Sequence, residues 1–137
     1  MRATARRGQG FTHEVEIEGG HSLVIDEPRG AGGEDAGPSP TRVVAAALAA
    51  CTAITCEMYA QRKGWDLGAV EVEVEMDYGQ SSSIESFAVT LRVPEPLDEA
   101  QQSRLLEIAG KCPVHRALAG ETPVAISDRI ECPAPTS

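Results

Sequence analysis

The sequence predicts an α+β fold in which antiparallel strand pairs lie against one long, buried central helix. Two pairs of alternating segments are each joined by turn residues, which is typical of hairpins rather than of strands linked by crossover helices. Between the two pairs, residues 43–56 carry no charged side chain. A helix without a polar stripe has to be covered on every side, so we expect it inside the protein or at a subunit interface.

The size and charge of the chain narrow its possible functions. The 137 residues suit a single domain with its own core, and we expect residues 1–9 and 132–137 to be mobile tails. A net charge of −9 argues against nucleic acid and anionic membranes as partners. The longest charge-free run is shorter than the roughly 20 apolar residues of a membrane span, and no secretory signal is apparent. We therefore expect a cytoplasmic protein with reduced cysteines and no membrane insertion.

The first hairpin precedes the central helix. Residues 11–19 alternate apolar and glutamate side chains, which predicts a strand with one face against a core. Gly19-Gly20 is a two-residue hairpin signal, and residues 21–26 predict the returning strand. Residues 27–37 then form an acidic loop rich in Gly and Pro.

The central helix has clear start and stop signals. Ser39 suits the N-cap and Pro40 suits the first helical position. The helix is expected to run to Lys63, because Gly64 suits the C-terminal cap. At 1.5 Å per residue it would be roughly 36 Å long, about the width of a small domain.

The second hairpin and two further helices follow. Residues 67–78 alternate aliphatic and acidic side chains, and a turn joins this predicted strand to a second one over residues 87–93. Asp98 begins a helix with a capping box, and Pro113 begins a shorter helix. A final strand is predicted from three spaced aliphatic residues, Val124, Ile126 and Ile130. The predicted order is β-β-α-β-β-α-α-β.

Two of the four cysteines are candidates for redox chemistry. Cys51 lies in the apolar middle of the central helix, where a thiol is often simply a small buried hydrophobe. Cys112 directly precedes Pro113, so it lies at a helix N-terminus that favours a thiolate. Lys111 and Arg116 add positive charge nearby. Paired with each other, the two thiols would form a redox centre.

The remaining candidates have simpler interpretations. Cys56 faces another side of the helix and is expected to fill a core or interface, and Cys132 is expected to be a stray thiol in the tail. His115 lies three residues after Cys112, but the chain has only three histidines and no second Cys-x-x-Cys or Cys-x-x-His unit, which argues against zinc. Fingerprints of nucleotide binding and of serine hydrolases are absent, so no cofactor is expected.

Two segments carry a family resemblance. Residues 37–53 (GPSPTRVVAAALAACTA) and 111–118 (KCPVHRAL) resemble the two cysteine motifs of the OsmC/Ohr family, named for osmotically inducible protein C and organic hydroperoxide resistance protein. The resemblance extends over about residues 10–131. It implies an obligate homodimer of intertwined subunits, with two central helices packed together and active sites at the interface.

The resemblance also implies a reaction, the thiol-dependent reduction of organic hydroperoxides. By position, Cys51 would be the peroxidatic cysteine and Cys112 the resolving one. Cys51 would be oxidised to a sulfenic acid, Cys112 would condense with it to a disulfide, and an external dithiol would reduce that disulfide. The apolar helix would favour alkyl or lipid hydroperoxides as substrates.

One position departs from the strongly active members of the family. Thr41 and Arg42 stand near the start of the central helix, where those members carry a Glu that pairs with an activating Arg. The chain therefore resembles the general OsmC-like branch. Two hypotheses stay open: a peroxidase that uses Cys51 and Cys112, and a dimeric binding protein for a small hydrophobic ligand whose cysteines are redox sensors or not catalytic.

Overall fold

A computed structural model describes residues 1–135 and confirms the α+β class. The five strands form two antiparallel sheets, one in the order β1-β2-β3 and one made of β4 and β5. The strands are β1 (Ala3–Arg7), β2 (His13–Ile17), β3 (His21–Ile25), β4 (Glu71–Tyr78) and β5 (Ile84–Arg92). The helices are α1 (Pro40–Lys63), α2 (Glu99–Ala109) and α3 (Pro113–Leu118).

The first sheet contains a strand that sequence reasoning missed. The expectation of a tail over residues 1–9 is wrong for Ala3–Arg7, which pairs with β2 in antiparallel register. The pairing sets basic against acidic side chains, since Arg6 lies opposite Glu14 and its guanidinium is 2.7 Å from the carboxylate of Glu16. The hairpin between β2 and β3 is confirmed. Its Gly20 has a φ of 86°, a conformation that side chains disfavour.

The central helix α1 has the predicted bounds. Ser39 is extended at the N-cap, Pro40 begins the helix, and Gly64 ends it in the left-handed conformation with a φ of 72°. One side of α1 packs against the second sheet and against α2 and α3. There it forms the core with its own Cys56 and Ala60 and with two leucines, Leu67 and Leu105.

The opposite side of α1 is not covered by any of residues 1–135. Ile54 is 50% exposed and Met58 is 60% exposed, and with Ala47 and Ala50 they recur at helical spacing along one face. We expected α1 to be buried on every side, but the described residues cover one side only. By length and composition alone α1 could also cross a membrane, with a mean hydropathy of 1.7 over 18 residues, but core helices of soluble proteins pass the same test.

The apolar face of the second sheet packs against α1, as predicted. Val74 lies opposite Val89 and Met76 lies opposite Phe87 across the antiparallel pair. On the wet face, the guanidinium of Arg92 pairs with glutamates of β4. The alternation of aliphatic and acidic residues therefore corresponds to the core and solvent sides of this hairpin.

The end of the chain differs from the prediction. The capping box of α2 is present, but the residues from 121 to 135, which the structure describes, contain no strand. Val124, Ile126 and Ile130 are between 63% and 86% exposed. An extended segment forms a strand only when its backbone N–H and C=O groups pair with the free edge of another strand. The described residues that follow α3 do not lie along such an edge. Of the predicted C-terminal tail, residues 136 and 137 lie outside the described part.

A buried carboxylate organises the loop that leads into α1. Asp26 directly follows β3 and is only 2% exposed. Its carboxylate accepts a hydrogen bond of 2.7 Å from the hydroxyl of Thr12. It also accepts bonds from the backbone N–H groups of Glu27, Glu34 and Ala36. These bonds, that from Thr12 first, lower the pKa of Asp26.

We expect Asp26→Ala to loosen this loop, because three backbone N–H groups lose their acceptor. Trypsin should then cleave after Arg29 faster than in the unchanged protein, while Glu34→Ala should have no such effect. Since the folded pKa of Asp26 is lowered, its stabilisation is complete above the ordinary carboxyl pKa of about 3.9 and is lost as the pH falls through the folded value. Equal cleavage rates in Asp26→Ala and Glu34→Ala would contradict the role of the carboxylate.

Candidate active site: a cysteine pair beside an apolar cavity

The fold joins the two cysteines that the sequence singled out. Cys51 and Cys112 are 61 residues apart in the chain, yet their sulfurs are bonded and their Cα atoms are 5.9 Å apart. Cys51 lies in the middle of α1, and Cys112 is the N-cap of α3. Contact between α1 and α3 therefore creates the site.

A tight turn between α2 and α3 holds Cys112 in place. Gly110 ends α2, and the N–H of Lys111 donates to the carbonyl of Ile108 at 2.9 Å. The N–H of Cys112 donates to the carbonyl of Ala109 at 3.3 Å. Pro113 begins α3 immediately afterwards, so the backbone of Cys112 is held between this turn and the helix.

The two cysteines differ in accessibility. Cys112 is completely buried, whereas Cys51 is partly exposed. On α1, Cys51 lies at the border between the packed side and the uncovered face of Ile54 and Met58. A molecule approaching from outside the chain therefore meets Cys51 before it meets Cys112.

An open cavity of about 470 Å³ lies near the pair, and neighbours of the two cysteines line it rather than the cysteines themselves. Leu48, one helical turn before Cys51, and His115, one turn after Cys112, both line it. The wall opposite comes from β5 and the end of α3, with Phe87, Val89 and Leu118 as apolar groups and Glu85 as an acidic one. Such a cavity, mostly apolar with a few polar groups, suits a small organic molecule.

His115 contributes a buried polar atom to this site. Its Nδ1 is buried without a hydrogen-bond partner, and within residues 1–135 the only other such side-chain atom is the hydroxyl of Thr52. Buried polar groups are almost always paired, so an unpaired one calls for an explanation. The sequence drew attention to His115 only as a metal ligand. Residues 1–135 hold no group of three or more His, Cys, Asp or Glu side chains that could bind a metal ion.

The other two cysteines lie apart from the pair. Cys56 is fully buried in the core, as predicted, and its thiol donates to the carbonyl of Leu105 at 3.8 Å. Burial raises the pKa of Cys56 to about 11, and the charge of Glu57 adds to the shift. Cys132 is exposed in the C-terminal segment.

We expect Cys56 to resist alkylation in the folded, reduced protein. At about pH 8, a thiol whose pKa is about 11 is only about one-thousandth thiolate, and the core also shields it. Iodoacetamide labelling followed by peptide mass spectrometry should modify Cys132 quickly and Cys56 only after denaturation. Labelling of both residues at one rate would contradict this expectation.

The positions that depart from the family pattern lie at the start of α1. The hydroxyl of Thr41 is 2.7 Å from the hydroxyl of Tyr78, so a neutral pair stands there instead of a carboxylate. Arg42 is exposed and makes no ion pair with any residue that the structure describes. It precedes Cys51 by nine residues, or roughly 13 Å along the axis, so it does not reach the sulfur within its own helix.

Comparisons with known proteins agree with this geometry. The sequence model of the family described as OsmC-like protein matches residues 32–127, which include both cysteine motifs. An uncharacterized protein of Haloferax volcanii is 28% identical over 90 residues, covering 64% of this chain and 68% of the relative.

Solved structures show the same fold. A putative osmotic stress induced and detoxification response protein of Psychrobacter arcticus superposes with a TM-score of 0.77 at 18% identity, covering 83% of this chain and 85% of its own. An organic hydroperoxide resistance protein OsmC of Legionella pneumophila superposes with a TM-score of 0.63 at 25% identity, covering 88% and 90%. With a family match over most of its length, the chain belongs to the OsmC family of proteins.

Proposed function

We propose that this protein reduces organic hydroperoxides, with Cys51 as the peroxidatic cysteine and Cys112 as the resolving cysteine. The observation that carries the proposal is the bond between these two sulfurs, which come from separate sequence motifs. The likeness to an organic hydroperoxide resistance protein supports the choice of oxidant. An intracellular disulfide between distant cysteines is more often catalytic or regulatory than structural.

The difference in burial supports Cys51 as the residue of the first step. Its thiolate attacks one oxygen of the hydroperoxide, the O–O bond breaks, and the alkoxide leaves and takes up a proton as the alcohol. Cys51 is then a sulfenic acid. Cys112, completely buried, is shielded from the peroxide and from competing oxidation.

The separation of the two cysteines suits the second step. The Cα atoms of Cys51 and Cys112 are 5.9 Å apart, within the usual range for disulfides. The Cys112 sulfur attacks the sulfenic sulfur, the S–S bond forms and water is released. An external dithiol then reduces the disulfide by exchange, and attack on the sulfur of the partly exposed Cys51 is favoured over attack on that of the buried Cys112.

The cavity beside the pair favours organic over inorganic peroxides. Leu48, Phe87, Val89 and Leu118 offer apolar contacts to an alkyl chain, which hydrogen peroxide lacks. Each methylene of a substrate that is buried there contributes about 0.8 kcal/mol. The preference for an alkyl hydroperoxide should therefore grow with the length of its apolar part.

A second subunit would complete the site. The uncovered apolar face of α1, with Ile54 and Met58, borders Cys51 directly. Exposed apolar patches of this kind mark interfaces in soluble proteins. A homodimer in which the two α1 helices pack together would cover this face and remove the Cys51 region from bulk water.

Thiol counting tests the proposal. In a Cys132→Ser background, the reduced protein should lose two thiols per subunit on addition of one equivalent of cumene hydroperoxide. Peptide mapping should find the Cys51–Cys112 disulfide, and a dithiol should restore both thiols. If the thiol count stays constant while the protein remains folded, the proposal is wrong.

The open cavity also supports a second function, the binding of a small hydrophobic ligand by a dimer whose cysteines are not catalytic. In that case a fatty acid or a similar apolar probe should bind with equal affinity to the unchanged protein and to a Cys51→Ser variant. The thiol count would then be unaffected by one equivalent of hydroperoxide. The two functions thus predict opposite results in the same titration.

Arg42→Ala should lower hydroperoxide reduction by less than tenfold, or less than about 1.4 kcal/mol of transition-state stabilisation. The reason is its distance from Cys51 of roughly 13 Å along the same helix. Steady-state hydroperoxide reduction measures the change in rate. The pH dependence of Cys51 alkylation in the reduced protein shows whether Arg42 acts on the thiolate, with Arg62→Ala at the far end of α1 as a control. An upward shift of a full pH unit in Arg42→Ala alone would show that Arg42 activates the thiolate.

A further inference from the structure

We propose that the cavity at the N-terminus of α1 binds a phosphate group, carried by inorganic phosphate or by a small organic molecule. The inference goes beyond the proposed function and does not depend on it, because neither Cys51 nor Cys112 lines this cavity. The cavity measures about 270 Å³. Hydroxyl groups and one cation line most of it: Ser39, Thr41, Arg42, Tyr78 and Ser82.

The first turn of α1 has backbone N–H groups without an intrahelical partner. Ser39 is extended at the N-cap, but its side chain makes no capping hydrogen bond, and the first turn contains no acidic residue. Pro40 has no N–H, so the first free N–H groups are those of Thr41 and Arg42. The macrodipole of this helix of 24 residues adds partial positive charge at the same end. Both features favour an anion.

The hydroxyl of Ser39 is an independent sign of a ligand. Only 6% of this residue is exposed, and its hydroxyl has no hydrogen-bond partner within residues 1–135. In the same range, the unpaired side-chain atoms that are fully buried belong to Thr52 and His115. The small accessible surface of Ser39 therefore includes its hydroxyl, which faces the cavity that Ser39 lines. Since buried polar groups are almost always paired, we infer that the partner is a molecule bound there.

A pair of hydroxyl groups supplies a further donor. The hydroxyl oxygens of Thr41 and Tyr78 are 2.7 Å apart, so one hydroxyl donates to the other and the second O–H stays free to donate. Ser82 adds a hydroxyl from the turn between β4 and β5. A phosphate group, with three strong acceptor oxygens, can use this set of donors more fully than a carboxylate with two.

The charged groups that line the cavity are one cation and one carboxylate. Arg42 is exposed and makes no ion pair with any residue that the structure describes. Glu27 is half-buried and lines the same cavity, yet no ion pair joins it to Arg42. The neighbouring Asp26 does not line the cavity, and its carboxylate already accepts bonds from Thr12 and from the loop. The guanidinium of Arg42 is therefore available to an anion, whereas Glu27 weakens its binding.

An NMR titration that resolves each backbone amide tests the site. Inorganic phosphate is added up to about 50 mM at about pH 7, in about 0.15 M NaCl to screen non-specific attraction. We expect the amide signals of Thr41 and Arg42 to shift and to saturate, with a Kd in the millimolar range. The N-terminus of α2 is the internal control. Its Gln101 N–H already donates to Asp98 at 2.7 Å, so this signal should not shift.

Phenyl phosphate distinguishes the two sources of the phosphate group. If it binds more tightly than inorganic phosphate at the same amides, the site accepts a phosphorylated organic molecule. Weaker binding at these amides assigns the site to free phosphate.

Two variants separate binding from folding. Ser39→Ala should raise the Kd for phosphate roughly tenfold, because a hydrogen bond to a charged group is lost. Its Tm should stay unchanged, since the Ser39 side chain makes no capping bond. Arg42→Gln should raise the Kd roughly fivefold through the lost charge, and Arg62→Gln at the far end of α1 should leave it unchanged.

Glu27→Gln should act in the opposite direction and lower the Kd roughly threefold, because it removes a repulsive charge from the cavity. This substitution decides the question if Ser39→Ala fails to fold. Weaker binding in Glu27→Gln would overturn the inference. So would the absence of a saturable shift at Thr41 and Arg42, an equal shift at Gln101, or an unchanged Kd in Arg42→Gln. Failure of the proposed function is measured separately, by the thiol count.

Discussion

Cys51→Ser is expected to abolish hydroperoxide reduction, whereas Cys112→Ser is expected to retain a single turnover. A hydroxyl at position 51 remains protonated and cannot break the O–O bond, so the rate should fall by on the order of 10³-fold or more. In Cys112→Ser the first step is intact, but the sulfenic acid of Cys51 has no thiol to condense with. It should persist or be oxidised further to sulfinic acid.

Steady-state peroxide consumption with a dithiol reductant, together with the intact mass of the protein after each addition of peroxide, measures both variants. Cys112→Ser should gain one oxygen atom at low peroxide and two at high peroxide. Cys132→Ser is the matched control, since its exposed thiol lies away from the pair. Normal multiple turnover by Cys51→Ser would show that the roles are assigned wrongly, and full activity of Cys112→Ser would remove its resolving role.

Ile54→Glu is expected to convert the proposed dimer into monomers. Ile54 is 50% exposed in one chain and lies on the apolar face of α1 with Ala47, Ala50 and Met58. In a two-fold interface the same face meets itself, so one substitution introduces two carboxylates into an apolar contact. The burial of unpaired charges is so unfavourable that the dissociation constant should rise by about a hundredfold or more.

Sedimentation velocity at micromolar concentration measures the change in mass. Leu106→Glu provides a matched control, because this residue of α2 is 67% exposed but lies off the α1 face. The Ile54→Glu monomer should also lose activity. Cys51 lies at the border of the apolar face of α1, and in the monomer this border would be open to water. A stable monomer in the unchanged protein, or an unchanged dimer in Ile54→Glu, would count decisively against this interface.

Much of the backbone could be predicted because its signals are local. The start of α1 at Pro40, its end before Gly64 and the capping box of α2 depend on groups within one helical turn of each other. The two hairpins follow from alternation over a few residues and from short turns. The placement of Cys56 in the core also follows from a local signal, its position along the helix.

The two errors concern strands whose partners the local pattern does not specify. Ala3–Arg7 has only one weakly apolar face, and it becomes a strand because the free edge of β2 lies beside it. Residues 124–130 have the apolar residues of a strand but pair with no strand edge in the described part of the chain, so they stay exposed. A strand is stable only as part of a sheet, and an isolated segment cannot show whether an edge is available.

For the site, the sequence by itself determined which residues are candidates for the proposed chemistry, and the tertiary structure decided how they are arranged. Cys51 and Cys112 could be named from the apolar helix and from the proline that follows the second cysteine. Their contact depends on how α1 packs against α3, because 61 residues of intervening chain specify no distance by themselves. The burial of Cys112 and the unpaired nitrogen of His115 follow only from that packing, since the accessibility of an atom depends on neighbours that are remote in the chain.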